Sequence, residues 1–122
     1  MKILVVDDDA IVIASCRRIL EAEGFEVTTV RSAAEALETV RKDTFDLLLI
    51  DVKMPKHDGP FLMGEIKKDL PQIPILVMSG YPTPETIADV MQAGAARFIP
   101  KPFRPDDLAR AVRGVLESRS NR

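Results

Sequence analysis

The chain has 122 residues, 46% of them hydrophobic and 30% charged, which leaves room for one domain at roughly 150 residues each and excludes a disordered chain. Seventeen Lys and Arg against nineteen Asp and Glu give a net charge of −2, which excludes a generally basic nucleic-acid binder. The lone Cys16 can make neither an internal disulfide nor a thiolate metal cluster, and nothing reads as a signal peptide or an apolar membrane span, so a soluble, cytoplasmic, reducing setting is expected.

Short apolar runs alternate with longer amphipathic segments. The first run, Ile3–Val6, leads into a segment with Val12, Cys16 and Leu20 on one helical face, stopping at Gly24, a residue favoured just past a helix end. Phe25–Val30 is the second run, and Ser32-Ala33-Ala34-Glu35 reads as a capping box opening a helix with Ala33, Leu37 and Val40 inward. Leu47–Ile50 is the third, followed past the Asp58-Gly59-Pro60 turn by Leu62, Ile66 and Leu70 at helical spacing. Ile75–Met78 is the fourth; Thr83-Pro84-Glu85 then supplies a cap, a first-turn proline and an acid suited to the helix dipole, with Ile87, Val90 and Met91 expected inward. Phe98-Ile99 is the fifth, and Pro105-Asp106-Asp107 opens a final helix whose Leu108, Ala111, Val112, Val115 and Leu116 recur as one apolar stripe. Residues 1–122 are expected to form one domain ending in a polar tail over 119–122.

Five strand–helix units predict an α/β fold: a flavodoxin-like, doubly wound, five-stranded parallel sheet in the order 2-1-3-4-5, with helices on both faces joined by right-handed crossovers. Ligands in such sheets sit at the carboxyl ends of the strands. There the sequence places Asp7, Asp8 and Asp9 after the first run, Asp51 after the third, Ser79 after the fourth and Lys101 after the fifth. Asp9 is read as a cap or first-turn residue. Asp7, Asp8 and Asp51 crowded at one rim would repel unless compensated. A hard divalent cation on oxygen ligands does this, Mg²⁺ being suited, and three carboxylates, one lysine and one Mg²⁺ sum to zero charge. A carboxylate not wholly taken by metal is a nucleophile toward phosphorus, with Lys101 and Ser79 placed to meet the phosphoryl oxygens. Cys16 reads as core filler and His57 as a solvated loop residue.

Val5-Val6-Asp7-Asp8, Ile50-Asp51-Val52-Lys53-Met54-Pro55 with Asp58-Gly59, Val77-Met78-Ser79-Gly80 and Lys101-Pro102-Phe103 resemble the receiver domains of two-component response regulators, of the single-domain chemotaxis-regulator type, nearly end to end. The resemblance implies Asp51 as phosphoacceptor, supplied by a phosphohistidine of a sensor histidine kinase or phosphotransfer protein. It implies Asp7, Asp8, Asp51 and the backbone carbonyl of Lys53 as Mg²⁺ ligands, Ser79 and Lys101 as phosphoryl contacts, and Phe98 as a switch aromatic moving with Ser79. It also implies a cis Lys101–Pro102 bond. Lys53 and Tyr81 overhang the approach of a hydrolytic water and are expected to slow dephosphorylation. No catalytic turnover is expected beyond phosphoryl uptake and loss. Output is expected through docking of a downstream protein, with no direct nucleic-acid or membrane contact, as a monomer or a phosphorylation-dependent dimer. The last helix–strand–helix face is the expected surface, drawing on Asp89, Gln92, Arg97, Arg110 and Arg113.

Two other readings compete. Asp7-Asp8-Asp9-Ala10-Ile11 loosely resembles the opening motif of haloacid-dehalogenase-type phosphatases, with Asp7 as nucleophile, although Ile11 stands where Thr or Val is usual. The other is a receiver-like module that docks without phosphate. The sequence is also compatible with a receiver cut from a longer regulator.

Overall fold

The computed structural model of the chain describes residues 1–52, 59–80 and 83–120; Lys53, His57 and Tyr81 lie outside them. Five strands alternate with five helices: β1 Lys2–Val6, α1 Ala10–Ala22, β2 Glu26–Val30, α2 Ala33–Lys42, β3 Leu47–Asp51, α3 Gly59–Asp69, β4 Ile75–Ser79, α4 Pro84–Gln92, β5 Arg97–Pro100 and α5 Pro105–Ser120. All pairings are parallel, in the expected order β2-β1-β3-β4-β5.

The unbroken apolar runs divide by the period of two that a strand imposes. Ile3, Val5, Leu47, Leu49, Leu76 and Met78 pack under α1 and α5. Their neighbours Leu4, Val6, Leu48, Ile50, Ile75 and Val77 face the other way, under α2, α3 and α4. Both faces are therefore dry, which is why the central strands carry no polar alternation. Cys16 is buried among the first group, and burial pushes its thiol up to about 12, so it holds its proton at neutral pH and acts as packing.

The helix ends follow local chemistry. The Asp9 side chain accepts from Ile11 N and caps α1. Ser32 accepts from Glu35 N and Thr83 from Thr86 N, capping α2 and α4. Gly24 and Gly94, just beyond α1 and α4, take φ of +91° and +109°, a region closed to most side chains.

One expectation needs correction. Met91 is 45% exposed: Val90 centres the buried stripe of α4, with Ile87 and Ala93 half-buried on either side, so Met91, about 100° further round, turns outward. α5 continues to Ser120, into the expected polar tail; Glu117-Ser118-Arg119-Ser120 contains no Gly or Pro to stop it. Among the described residues, no helix is long and apolar enough to cross a membrane.

Candidate functional site

The strand order sets the site. β1 and β3 are neighbours with Val6 opposite Ile50, so Asp7 and Asp51, each one step on, leave the sheet side by side. β4 adds Ser79, one residue past the Asp51↔Met78 pairing, and Val52 N donates to Met78 O at 3.0 Å, holding the turn after Asp51 against β4. β5 brings Lys101, whose backbone N donates to Ser79 O at 2.7 Å just before a cis Lys101–Pro102 bond. Residues remote in sequence thus meet because four strand ends meet.

Asp7, Asp8 and Asp51 each offer a carboxylate oxygen, all within 4.8 Å of one another. Asp7 is wholly buried and Asp51 nearly so, while Asp8 is the most open of the three. Lys101 bridges the two buried acids, its Nζ 2.9 Å from Asp7 Oδ2 and 3.4 Å from Asp51 Oδ1. Asp7 Oδ1 accepts from Asp9 N at 2.9 Å. Burial raises the Asp7 carboxyl above its ordinary range, with the Asp51 charge adding to it, and the bonds from Asp9 N and Lys101 offset only part of this. For Lys101, burial works against its charge, yet the bond to Asp7 and the charges of Asp51 and Asp7 outweigh it and hold the ammonium above its usual value. Among the described residues Lys101 pairs with both buried acids, so the lysine is overcompensated and Asp7 undercompensated. Such a donor set, hard, anionic and short of positive charge, suits Mg²⁺.

Ser79 is fully buried at the rim. Phe98 is half-buried against the core under α2–α4, with Val77 as its register partner on β4. The described residues do not include Lys53 and Tyr81. Arg113 leaves the expected docking face, because its Nη2 pairs with Glu23 Oε1 just past α1.

One contact has no signal in the sequence pattern. Arg31, directly after β2, donates from Nη2 to the Asp8 carbonyl at 2.8 Å, tying the acidic turn to β2 beside the Asp7 N to Val30 O bond. Only its place at a strand end could have drawn attention to it. Arg31→Met is expected to lower the stability of metal-free protein by about 1 kcal/mol, read as a reduced denaturation midpoint in EDTA.

The receiver domain of response regulators is the family whose model matches this chain, over residues 3–113, and the chain belongs to that family. It is similar to the alginate biosynthesis transcriptional regulatory protein AlgB of Pseudomonas syringae pv. tomato, at 32% identity over 97% of this chain and 26% of that protein. Identity to the transcriptional regulatory protein ZraR of Escherichia coli K12 is 38%, over 93% of this chain and 26% of that one. With the response regulator MprA of Mycobacterium leprae it is 36%, over 95% and 51%. The chain thus spans from about a quarter to about half of these relatives. Among solved structures, a CheY-like receiver domain protein from Methanospirillum hungatei superposes with a TM-score of 0.93 at 33% identity, covering 98% of this chain and 96% of that one.

Proposed function

We propose that the chain is a phosphorylation switch in which Asp51 takes a phosphoryl group from a phosphohistidine of a sensor histidine kinase or phosphotransfer protein. The observation that carries this is the Asp7–Asp8–Asp51 cluster with Lys101 reaching both buried acids. Asp7, Asp8 and Asp51, with the Lys53 backbone carbonyl, would hold Mg²⁺, which when bound supplies positive charge to the phosphoryl oxygens. The Asp51 carboxylate forms the new O–P bond as the P–N bond to the donor imidazole breaks. Lys101 neutralises charge on the phosphoryl oxygens, and the Ser79 hydroxyl donates to one of them. As Ser79 follows that group, Phe98 turns further inward and alters the α4–β5–α5 surface that a downstream protein reads.

The two Asp7 oxygens are engaged by Asp9 N and Lys101 Nζ, which speaks against the phosphatase-like alternative. The similarity to transcriptional regulators supports a downstream partner in gene control. The test is intact-mass measurement after incubation with acetyl phosphate, with Mg²⁺ or with EDTA. One phosphoryl adduct that requires Mg²⁺ is expected; no adduct, where another receiver labels in parallel, would leave a phosphate-independent docking module.

Lys53 and Tyr81, two residues after Asp51 and Ser79 in the sequence, are expected to lengthen the lifetime of the adduct. Lys53→Asn and Tyr81→Ala are each expected to shorten its half-life, followed as decay of the phosphorylated mass after donor removal. Unchanged decay in both variants would refute that role.

A further inference from the structure

The opposite end of the sheet carries a second concentration of charge, of the other sign. An open cavity of about 490 Å³ lies there, between the α3–β4 connection, the α4–β5 turn and the outer part of α5, and it holds Lys67 and Arg97. No Asp or Glu is among its described lining residues. Neither cation has a salt-bridge partner among the described residues.

Both side chains are fitted to their places. Lys67 Nζ donates to Ile73 O at 3.1 Å and to Pro71 O at 3.4 Å, which leaves one of its three N–H groups to spare. Burial pushes its pKa down. A Cβ on Gly114 would lie only 3.2 Å from Arg97 Nη1. Glycine inside a helix is destabilising relative to alanine, and at Gly114 the Arg97 guanidinium occupies the room so left. A partly buried cation such as Lys67 is ordinarily matched by a carboxylate; here it shares a concave site with the exposed Arg97, and no described lining residue is an acid.

We infer that this cavity binds a small phosphate-bearing molecule, its anionic head held between Lys67 and Arg97. The Arg97 fork suits two phosphoryl oxygens and the Lys67 ammonium adds a point charge. Gln72 and Ser118 offer neutral donors, while Ile73, Pro74 and Val115 form an apolar wall for the body of the ligand. The volume falls in the ordinary range for small-molecule sites. The inference is independent of phosphoryl transfer at Asp51, since the two sites occupy opposite ends of the strands.

The test is a ¹⁵N–¹H titration of Mg²⁺-free protein, at constant ionic strength, with inorganic phosphate, AMP and adenosine to about 10 mM, a range that reads Kd values near 1 mM. Saturable shifts of the Gly94, Ala96 and Gly114 amides are expected with phosphate and AMP and not with adenosine. Tighter binding of AMP would identify an organic phosphate as the ligand, equal binding the free ion. Arg97→Gln and Lys67→Met are each expected to weaken binding about tenfold. Arg97 is exposed, so its variant carries the test even if Lys67→Met fails to fold. Absence of saturation, shifts confined to Gly80 and Lys101, a response to adenosine alone, or equal affinity in Arg97→Gln would overturn the proposal.

Discussion

Asp51→Asn is expected to lose phosphoryl uptake from acetyl phosphate by at least ~100-fold, because an amide oxygen is no nucleophile at phosphorus. The substitution is nearly isosteric, and the backbone of β3 keeps its pairing with Met78, so an unchanged circular dichroism spectrum should accompany the loss. Asp7→Asn is expected to differ in kind. It keeps an oxygen to accept from Asp9 N but gives up a charge facing Lys101, so labelling slows and needs more Mg²⁺ while the adduct stays on Asp51. Peptide mapping of the adduct discriminates the two roles. Label that survives Asp51→Asn and vanishes in Asp7→Asn would transfer the nucleophile to Asp7 and restore the phosphatase-like reading.

That these acids could be picked out from sequence has a physical reason. Each follows directly on an apolar run, and a parallel sheet buried on both faces makes such runs unbroken, so Val6-Asp7 and Ile50-Asp51 mark strand ends to within a residue. Once the order 2-1-3-4-5 is assumed, their meeting is geometry. The division of helices between faces was not legible, because Ile3 and Leu4 look alike in sequence and only the pleat sends them to opposite cores. Met91 misled because spacings of three and four fit a stripe equally well until Val90 fixes its centre. Arg31 was invisible because its partner is a backbone carbonyl brought near by strand pairing. Lys67 and Arg97 belong to no local pattern, and only the folded chain sets them in one cavity.

Removing the cation and removing an anion from the acidic cluster are expected to have opposite signs. Lys101 is 19% exposed and faces two buried carboxylates. Lys101→Met therefore takes the shared cation from two buried acids, at a cost on the order of 3 kcal/mol in metal-free protein at pH 7, or roughly 10 °C in Tm. The pH dependence follows from the two shifts. Asp7, with its folded pKa raised above 3.8, binds its proton more tightly folded than unfolded, so its contribution to stability declines as pH rises from 3.8 through the folded value. Lys101, raised above 10.5, contributes stability that is complete below 10.5 and lost as pH rises through its folded value. Without Lys101 the Asp7 penalty grows and its folded pKa rises further above 3.8, so the deficit of Lys101→Met should be full at pH 7 and shrink as pH falls through those raised values toward about 4. Asp8→Asn should do the reverse. It relieves repulsion among oxygens within 4.8 Å and is expected to stabilise the metal-free protein by on the order of 1 kcal/mol, while abolishing the further stabilisation that Mg²⁺ is expected to give the wild type. Urea unfolding of the three proteins at pH 7 and pH 4, with EDTA or Mg²⁺, reads all of these. A Lys101→Met deficit that does not change with pH would mean that lost packing, rather than unpaired charge, is what the lysine prevents.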